Sequence, residues 1–145
     1  MTLEDNKAVV QKLWLAVYGR DWEGLAAVLT DDCWHQDVPA PDANAGARGA
    51  QNIVDRMRIG FDLSDRFEHE VKSLVAEGDF VVVEHVERWH FHTREIVENK
   101  LLTIHELRDG KVARWSDYWD IQSMISQAPQ WWIEKIAEAS PQDFS

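Results

Sequence analysis

From Arg66 onwards, apolar and polar residues alternate along four long segments, and this pattern constrains the fold more than any other feature of the sequence. Alternation with a period of two predicts strands with one buried face. The predicted strands are Arg66–Ala76, Phe80–His92, Glu98–Arg108 and Lys111–Ile121. Short turns separate them, and the turn at Asp109-Gly110 has the residue pair favoured in two-residue hairpins. The sequence therefore predicts an antiparallel meander.

The first half of the chain has a helical pattern instead. Apolar residues at helical spacing predict helices, and one short alternating segment predicts a strand before a proline-rich loop. The predicted elements are helices Leu3–Gly19, Asp21–Leu29 and Gly49–Gly60, a strand Cys33–Val38, a loop Pro39–Gly46, and a last helix after Pro129. Helices followed by a meander predict a single α+β domain over residues 1–145, with helices packed on one face of a curved sheet around a pocket.

Charge and composition exclude several classes of function. The 145 residues include 15 Lys and Arg against 26 Asp and Glu, a net charge of −11, which argues against binding to nucleic acids or anionic membranes. No apolar run is long enough for a membrane span, and the N-terminus lacks a signal-peptide pattern. The single cysteine, Cys33, excludes an internal disulfide. We expect a cytoplasmic protein.

The last predicted strand carries a carboxylate in an apolar setting. Asp117 shares a face with Trp115 and Trp119, because side chains at alternate positions of a strand point the same way. A buried carboxylate is costly unless it is paired, and such placement is typical of a functional acid or base. The alternative is a structural carboxylate that backbone donors or an arginine satisfy.

Two more polar pairs have the same spacing. His85 and Glu87 share a strand face with Trp89, and His35 and Asp37 share a face of the first strand. If these strands are neighbours, the pairs meet Asp117 and form a cluster of imidazoles and carboxylates. The alternative for His85 and Glu87 is a salt bridge at the rim of the sheet.

Such a cluster suits proton transfer or a metal site. The spacing matches no recognised zinc motif, and no nucleotide-binding fingerprint is present, so we predict neither a metal nor an organic cofactor. His69 and His105 are single histidines on strands, for which ordinary core or surface roles are expected.

With these residues identified, the chain resembles the limonene-1,2-epoxide hydrolases, which belong to the nuclear transport factor 2-like superfamily with steroid isomerases and polyketide cyclases. The resemblance runs from the first helix to about Ile125, and its most specific part is Trp115-Ser116-Asp117-Tyr118-Trp119-Asp120. The other matching segments are Leu29–Pro39, Glu84–Glu87 and Leu107–Val112. The resemblance implies a cone-shaped fold, no cofactor and a homodimer formed through the outer face of the sheet.

The family pattern also implies roles for the five polar residues. Asp117 matches the aspartate that is the base for the attacking water. Glu87 stands where the family has the acidic aspartate, and His85 where it has an arginine that bridges the carboxylates. His35 and Asp37 replace the tyrosine and the asparagine that position the water.

The predicted function is therefore acid–base catalysis on a small apolar substrate, aromatic or terpenoid, with epoxide hydrolysis as the first candidate. Trp89, Trp115 and Trp119 are predicted to bind the substrate. A lyase, dehydratase or isomerase with a His–carboxylate pair is the alternative within the superfamily. A binding module without catalysis is the alternative from another class.

Overall fold

The computed structural model describes residues 1–40, 45–139 and 144. Within these residues, five helices and six strands follow one another. Their order is α1 (Leu3–Gly19), α2 (Trp22–Ala27), β1 (Leu29–Asp37), β2 (Gly46–Arg48), α3 (Ala50–Phe61), β3 (Arg66–Glu77), β4 (Phe80–His90), β5 (Ile96–Arg108), β6 (Lys111–Tyr118), α4 (Ile121–Gln127) and α5 (Gln130–Ala139).

The strands form one curved sheet in the order β2-β1-β6-β5-β4-β3. The predicted meander of β3 to β6 is confirmed, with antiparallel pairing throughout. Asp109 and Gly110 both have positive φ, 52° and 78°, as a tight turn of this type requires. The α+β class is thus confirmed.

The sheet is not wholly antiparallel, because β1 pairs with β6 in parallel. No tight turn joins these strands: α3 and the meander intervene, and a long connection permits parallel pairing. The short strand β2, which the sequence analysis lacked, pairs with β1. Gly46 permits this contact because glycine has no Cβ. A Cβ at this position would lie 1.9 Å from the backbone oxygen of His35 and clash with it.

Several predicted boundaries were wrong. The second helix ends at Ala27, and β1 begins at Leu29, where its backbone pairs with β6. Strand β4 ends at His90, because a turn follows in which the Arg94 amide donates to the Phe91 oxygen. Strand β6 ends at Tyr118, since Asp120 caps the unpredicted helix α4. Part of the predicted loop, residues 41–44, lies outside the described residues.

The inner face of the sheet carries the core. On β5, Asn99, Leu101, Thr103 and His105 are buried, and the residues between them are more exposed. Beneath the helices, the inner faces of β4 and β6 add the buried side chains of Val81, Val83, Trp89 and Trp115. Among the described residues, no helix is both long and apolar enough to span a membrane.

Candidate active site

A cavity of about 850 Å³ lies between the inner face of the sheet and the helices. Most of its wall is apolar, with Phe61 and Met57 from α3, Met124 from α4, and Trp132 from α5 among the lining side chains. Four of the five polar residues singled out above line this cavity, namely His35, Asp37, Glu87 and Asp117. An apolar cavity with a few convergent polar groups is the usual form of a small-molecule site.

Asp117 lies near the end of β6, between β5 and β1, and is 5% exposed. Its Oδ1 accepts hydrogen bonds from the Thr103 hydroxyl at 2.7 Å and the Trp115 indole at 2.9 Å, and its Oδ2 lies 2.9 Å from His35 Nε2. Burial alone would raise the pKa of Asp117, but the hydrogen bond from His35, the charge of His35 in its protonated form and the other two donors bring it below its ordinary value of 3.8. The carboxylate therefore stays ionised near neutral pH.

His35 forms a dyad with Asp117. Since the ionised carboxylate accepts from Nε2, the neutral imidazole has a bare Nδ1. That nitrogen is buried and has no hydrogen-bond partner among the described residues. The ring packs on Trp115 with centroids 4.3 Å apart. The dyad thus contains a residue that lines the cavity and holds one imidazole nitrogen that can take up a proton.

Glu87, on β4, has the opposite electrostatic setting. The hydroxyl of Tyr18 donates to its Oε2 at 2.5 Å, and the amide of Asn99 donates to its Oε1 at 3.0 Å. Burial raises the pKa of Glu87 above its ordinary value of 4.5, an effect that these two hydrogen bonds reduce and the charge of Asp117 increases. A carboxyl group in this setting keeps its proton more readily than a solvated one, which suits a general acid.

Asp37 is the third carboxylate at the cavity. Arg56 from α3 donates to its Oδ2 at 2.6 Å, and the Trp119 indole donates to its Oδ1 at 3.1 Å. Both partners line the cavity beside it. The ion pair neutralises a charge that would otherwise be costly in an apolar surrounding.

His85 is buried, but it does not lie on the cavity wall. Its Nε2 lies 2.8 Å from the Thr103 hydroxyl and its Nδ1 lies 2.9 Å from His69 Nε2, so both ring nitrogens are engaged. The expected bridge from His85 to the carboxylates is therefore replaced by an indirect link to Asp117 through Thr103. An imidazole is shorter than the arginine that the family pattern has at this position.

Of the three tryptophans predicted to bind the substrate, two line the cavity and one does not. Trp89 and Trp119 line the cavity, where substrate contact was predicted. Trp115 does not: it is fully buried behind the dyad, packs against Trp14 with ring centroids 5.4 Å apart, and gives its indole N–H to Asp117. Its place in the structure suits orientation of the carboxylate rather than substrate contact.

A ring nitrogen of His35 and a carboxylate oxygen each of Asp37 and Asp117 lie within 4.8 Å of one another, close enough to bind one cation together. Each carboxylate already has a partner, however: Arg56 pairs with Asp37, and His35 pairs with Asp117. We therefore interpret the cluster as two hydrogen-bonded pairs.

The sequence analysis missed the partners of the carboxylates. These are Tyr18, Arg56, Asn99 and Thr103. For Asn99 and Thr103 a signal was present, since they alternate with apolar residues on the inner face of β5. Arg56 belongs to a helix in which no spacing marks it as part of a site.

The fold and the site together define a class of protein, an α+β domain with a curved sheet and a few polar groups lining an apolar cavity. Within this class, the sequence profile of the SnoaL-like domain family matches residues 10–115. The chain belongs to this family. A comparison with curated proteins found no match.

Solved structures with the same fold include enzymes and proteins of unknown function. An LEH-like epoxide hydrolase from M. tuberculosis has 20% sequence identity and a TM-score of 0.73, over 97% of this chain and 98% of that one. An NTF2-like protein of unknown function from Burkholderia pseudomallei has 18% identity and a TM-score of 0.75, over 88% and 98% of the two chains. A hypothetical protein with a ketosteroid isomerase-like fold from Catenulispora acidiphila, in complex with trimethylamine, has 18% identity and a TM-score of 0.72, over 82% and 90%. At these identities the likeness establishes the fold, and the predicted nuclear transport factor 2-like fold is thus confirmed.

Proposed function

We propose that the protein is a cofactor-independent acid–base enzyme that hydrolyses an epoxide on a small apolar substrate. One observation carries the proposal: two buried carboxyl groups at one cavity have pKa values shifted in opposite directions, that of Asp117 downwards and that of Glu87 upwards. Such a pair separates the roles of base and acid, and epoxide opening by water needs both at once.

The base in this proposal is the dyad of His35 and Asp117. A water molecule gives a proton to the bare Nδ1 of His35, and its oxygen attacks an epoxide carbon. The imidazolium that forms has its Nε2–H on the Asp117 carboxylate, which stabilises the positive charge. Asp37, within 4.8 Å of the dyad's donor atoms, offers a second acceptor that orients the water.

The acid is Glu87. As the water oxygen bonds to one epoxide carbon, the bond between that same carbon and the epoxide oxygen breaks. The epoxide oxygen stays on the other carbon and takes the Glu87 proton. The product is a diol that contains one oxygen from water. Proton transfer from the imidazolium to the glutamate, through solvent, restores the starting state. Tyr18 and Asn99 hold the carboxyl group in place during the cycle.

A second candidate reaction is proton abstraction from carbon, as in a lyase, dehydratase or isomerase. The free Nδ1 of His35 favours it, since a bare imidazole nitrogen at an apolar wall accepts a proton from a C–H group as well as from water. In that reaction Glu87 would donate a proton or a hydrogen bond to a substrate oxygen.

Epoxide hydrolysis is tested by incubating the purified protein with terpene and aryl epoxides in ¹⁸O-labelled water with a chelator present, since the proposal requires no metal ion. We expect diols that carry one labelled oxygen. Glu84→Gln is the matched control for Glu87→Gln, because Glu84 is exposed on the same strand. Double-bond migration or elimination without diol would support the second candidate. Binding of apolar ligands with neither reaction would indicate a binding module.

Two further expectations of the sequence stay predictions, a homodimer and a cytoplasmic location. For the dimer, Leu102 and Tyr118 face each other across β5 and β6 and are 44% and 43% exposed, so the outer face of the sheet carries apolar surface. The mass in solution, measured by light scattering, tests this point.

A further inference from the structure

A continuous hydrogen-bond chain crosses the inner face of the sheet from its edge to the dyad. His69 on β3 lies 2.9 Å from His85 on β4, His85 lies 2.8 Å from Thr103 on β5, and Thr103 lies 2.7 Å from Asp117 on β6. These four strands are consecutive in the sheet, and β3 is its edge. The chain of His69, His85 and Thr103 therefore begins at a half-buried side chain and ends on a carboxylate at the cavity.

The direction of each hydrogen bond in this chain follows from the one between Thr103 and Asp117. An ionised carboxylate only accepts, so the Thr103 hydroxyl gives its proton to Asp117. The Thr103 oxygen is then free to accept, and His85 donates its Nε2–H to it. A neutral His85 has a bare Nδ1, which accepts the Nε2–H of His69. All the donors point towards Asp117.

This direction requires both histidines to be neutral, and their surroundings make them so. Burial lowers the pKa of His69 and of His85 from 6.5 to about 4. Trp14 packs edge-on against His85, with centroids 4.5 Å apart, and Tyr18 stacks on His69 at 4.2 Å. Near neutral pH the two rings therefore act as uncharged donors with fixed tautomers.

We propose that His69, His85 and Thr103 are positioning residues that commit the Thr103 hydroxyl to Asp117 and so fix the orientation of the His35–Asp117 dyad. Because the His85 N–H occupies the Thr103 oxygen, the hydroxyl proton is directed to Asp117 Oδ1. With Oδ1 held by Thr103 and Trp115, Oδ2 is left for His35 Nε2. His35 Nδ1 is then the ring nitrogen left without a hydrogen. This inference rests on the proposed function for its catalytic meaning, but not for its geometry.

The first test needs neither a substrate nor a variant. In ¹⁵N-histidine spectra of the whole protein at pH 7, we expect His69 and His85 to be neutral Nε2–H tautomers. An Nδ1–H tautomer at His85 would overturn the inference. Because this measurement is independent of turnover, it stands or falls separately from the proposed reaction.

The second test uses Thr103→Val, with Thr103→Ser as the variant that keeps the hydroxyl. Loss of the donor raises the pKa of Asp117, so kcat/KM should fall more at pH 4 than at pH 8, and at most about tenfold more for a shift of one pKa unit. The serine variant should restore the wild-type ratio. Equal losses at both pH values in the valine variant, or no rescue by serine, would show a merely structural role.

Other titratable groups around Asp117 also affect the pH dependence of kcat/KM. The titratable groups that face it or interact with its charge are Tyr18 on α1, His35 and Asp37 on β1, His85 and Glu87 on β4, and His105 on β5. His90→Gln is a matched control, since His90 pairs with Glu68 outside the chain. This variant should keep the wild-type profile, and a shift as large as that of Thr103→Val would count against the inference.

Discussion

Asp117 and Glu87 are chemically similar groups, buried to the same degree at one cavity, yet their surroundings shift their pKa values in opposite directions. Asp117 accepts from an imidazole, a hydroxyl and an indole, and Glu87 accepts from a phenol and an amide. The difference lies in the donors, because the hydrogen bond from His35 lowers the pKa of Asp117 most and Glu87 has no such partner. Burial at equal depth thus yields a base unit at one carboxylate and an acid at the other.

The largest expected effect comes from Asp117→Asn. The amide retains the shape but turns a donor towards His35 Nε2, which forces the imidazole into the tautomer that has no bare Nδ1 at the cavity. We expect normal folding and a loss of about 10²–10⁴ in kcat, measured as diol formation.

The control is Asp120→Asn. Asp120 caps α4 through its side-chain oxygen, a function that asparagine also performs, so this variant should keep nearly full activity. Near-wild-type turnover in Asp117→Asn would show that the dyad is not the base.

Glu87→Gln tests the other carboxyl group. Glutamine still hydrogen-bonds to its neighbours but cannot deliver a proton, so kcat should fall by about 10². Substrates with a more acidic leaving oxygen, such as aryl epoxides, should lose less. The same loss for every substrate would argue against protonation of the leaving oxygen by Glu87.

The common location of these polar residues could be predicted from the sequence. Strand alternation places Asp117, Glu87 and His35 on one inner face, and the structure has them there, because a period of two is a local property. Their charge states could not be predicted in this way. These depend on Tyr18 and Thr103, which lie 69 residues from Glu87 and 14 residues from Asp117 in the sequence, and no local pattern specifies such pairings.

Tyr18→Phe tests how far the Tyr18 hydroxyl lowers the pKa of Glu87. The hydroxyl of Tyr18 lowers the pKa of Glu87, so its removal raises that pKa further while the ring keeps its place. Glu87 then stays protonated to higher pH. We expect the alkaline limb of the kcat/KM profile to move to higher pH, with little change in rate at neutral pH. A limb that stays in place or moves to lower pH would assign it to another group.

Stability should depend on pH through the buried histidines. Burial lowers the pKa of His69, His85 and His105 from 6.5 to about 4, so between these values the unfolded chain binds more protons than the folded one. The free energy of unfolding should therefore fall as pH decreases from 6.5 to 4. Glu87, with its raised pKa, acts in the opposite sense above pH 4.5 and reduces the slope.

Urea denaturation at several pH values measures this dependence. His85→Gln should weaken it, because one of the protonating groups is removed. An unfolding free energy that is constant from pH 6.5 to pH 4 would contradict the burial of neutral histidines.

The opposite pKa shifts of the two carboxyl groups are the central claim, and a titration of the side-chain ¹³C carboxyl signals tests them most directly. Asp117→Asn and Glu87→Gln assign the two signals, and the protein is observed without substrate. We predict that Asp117 remains a carboxylate down to a pH below 3.8 and that Glu87 takes up its proton above pH 4.5. A titration in which Glu87 ionises at lower pH than Asp117 would contradict the account.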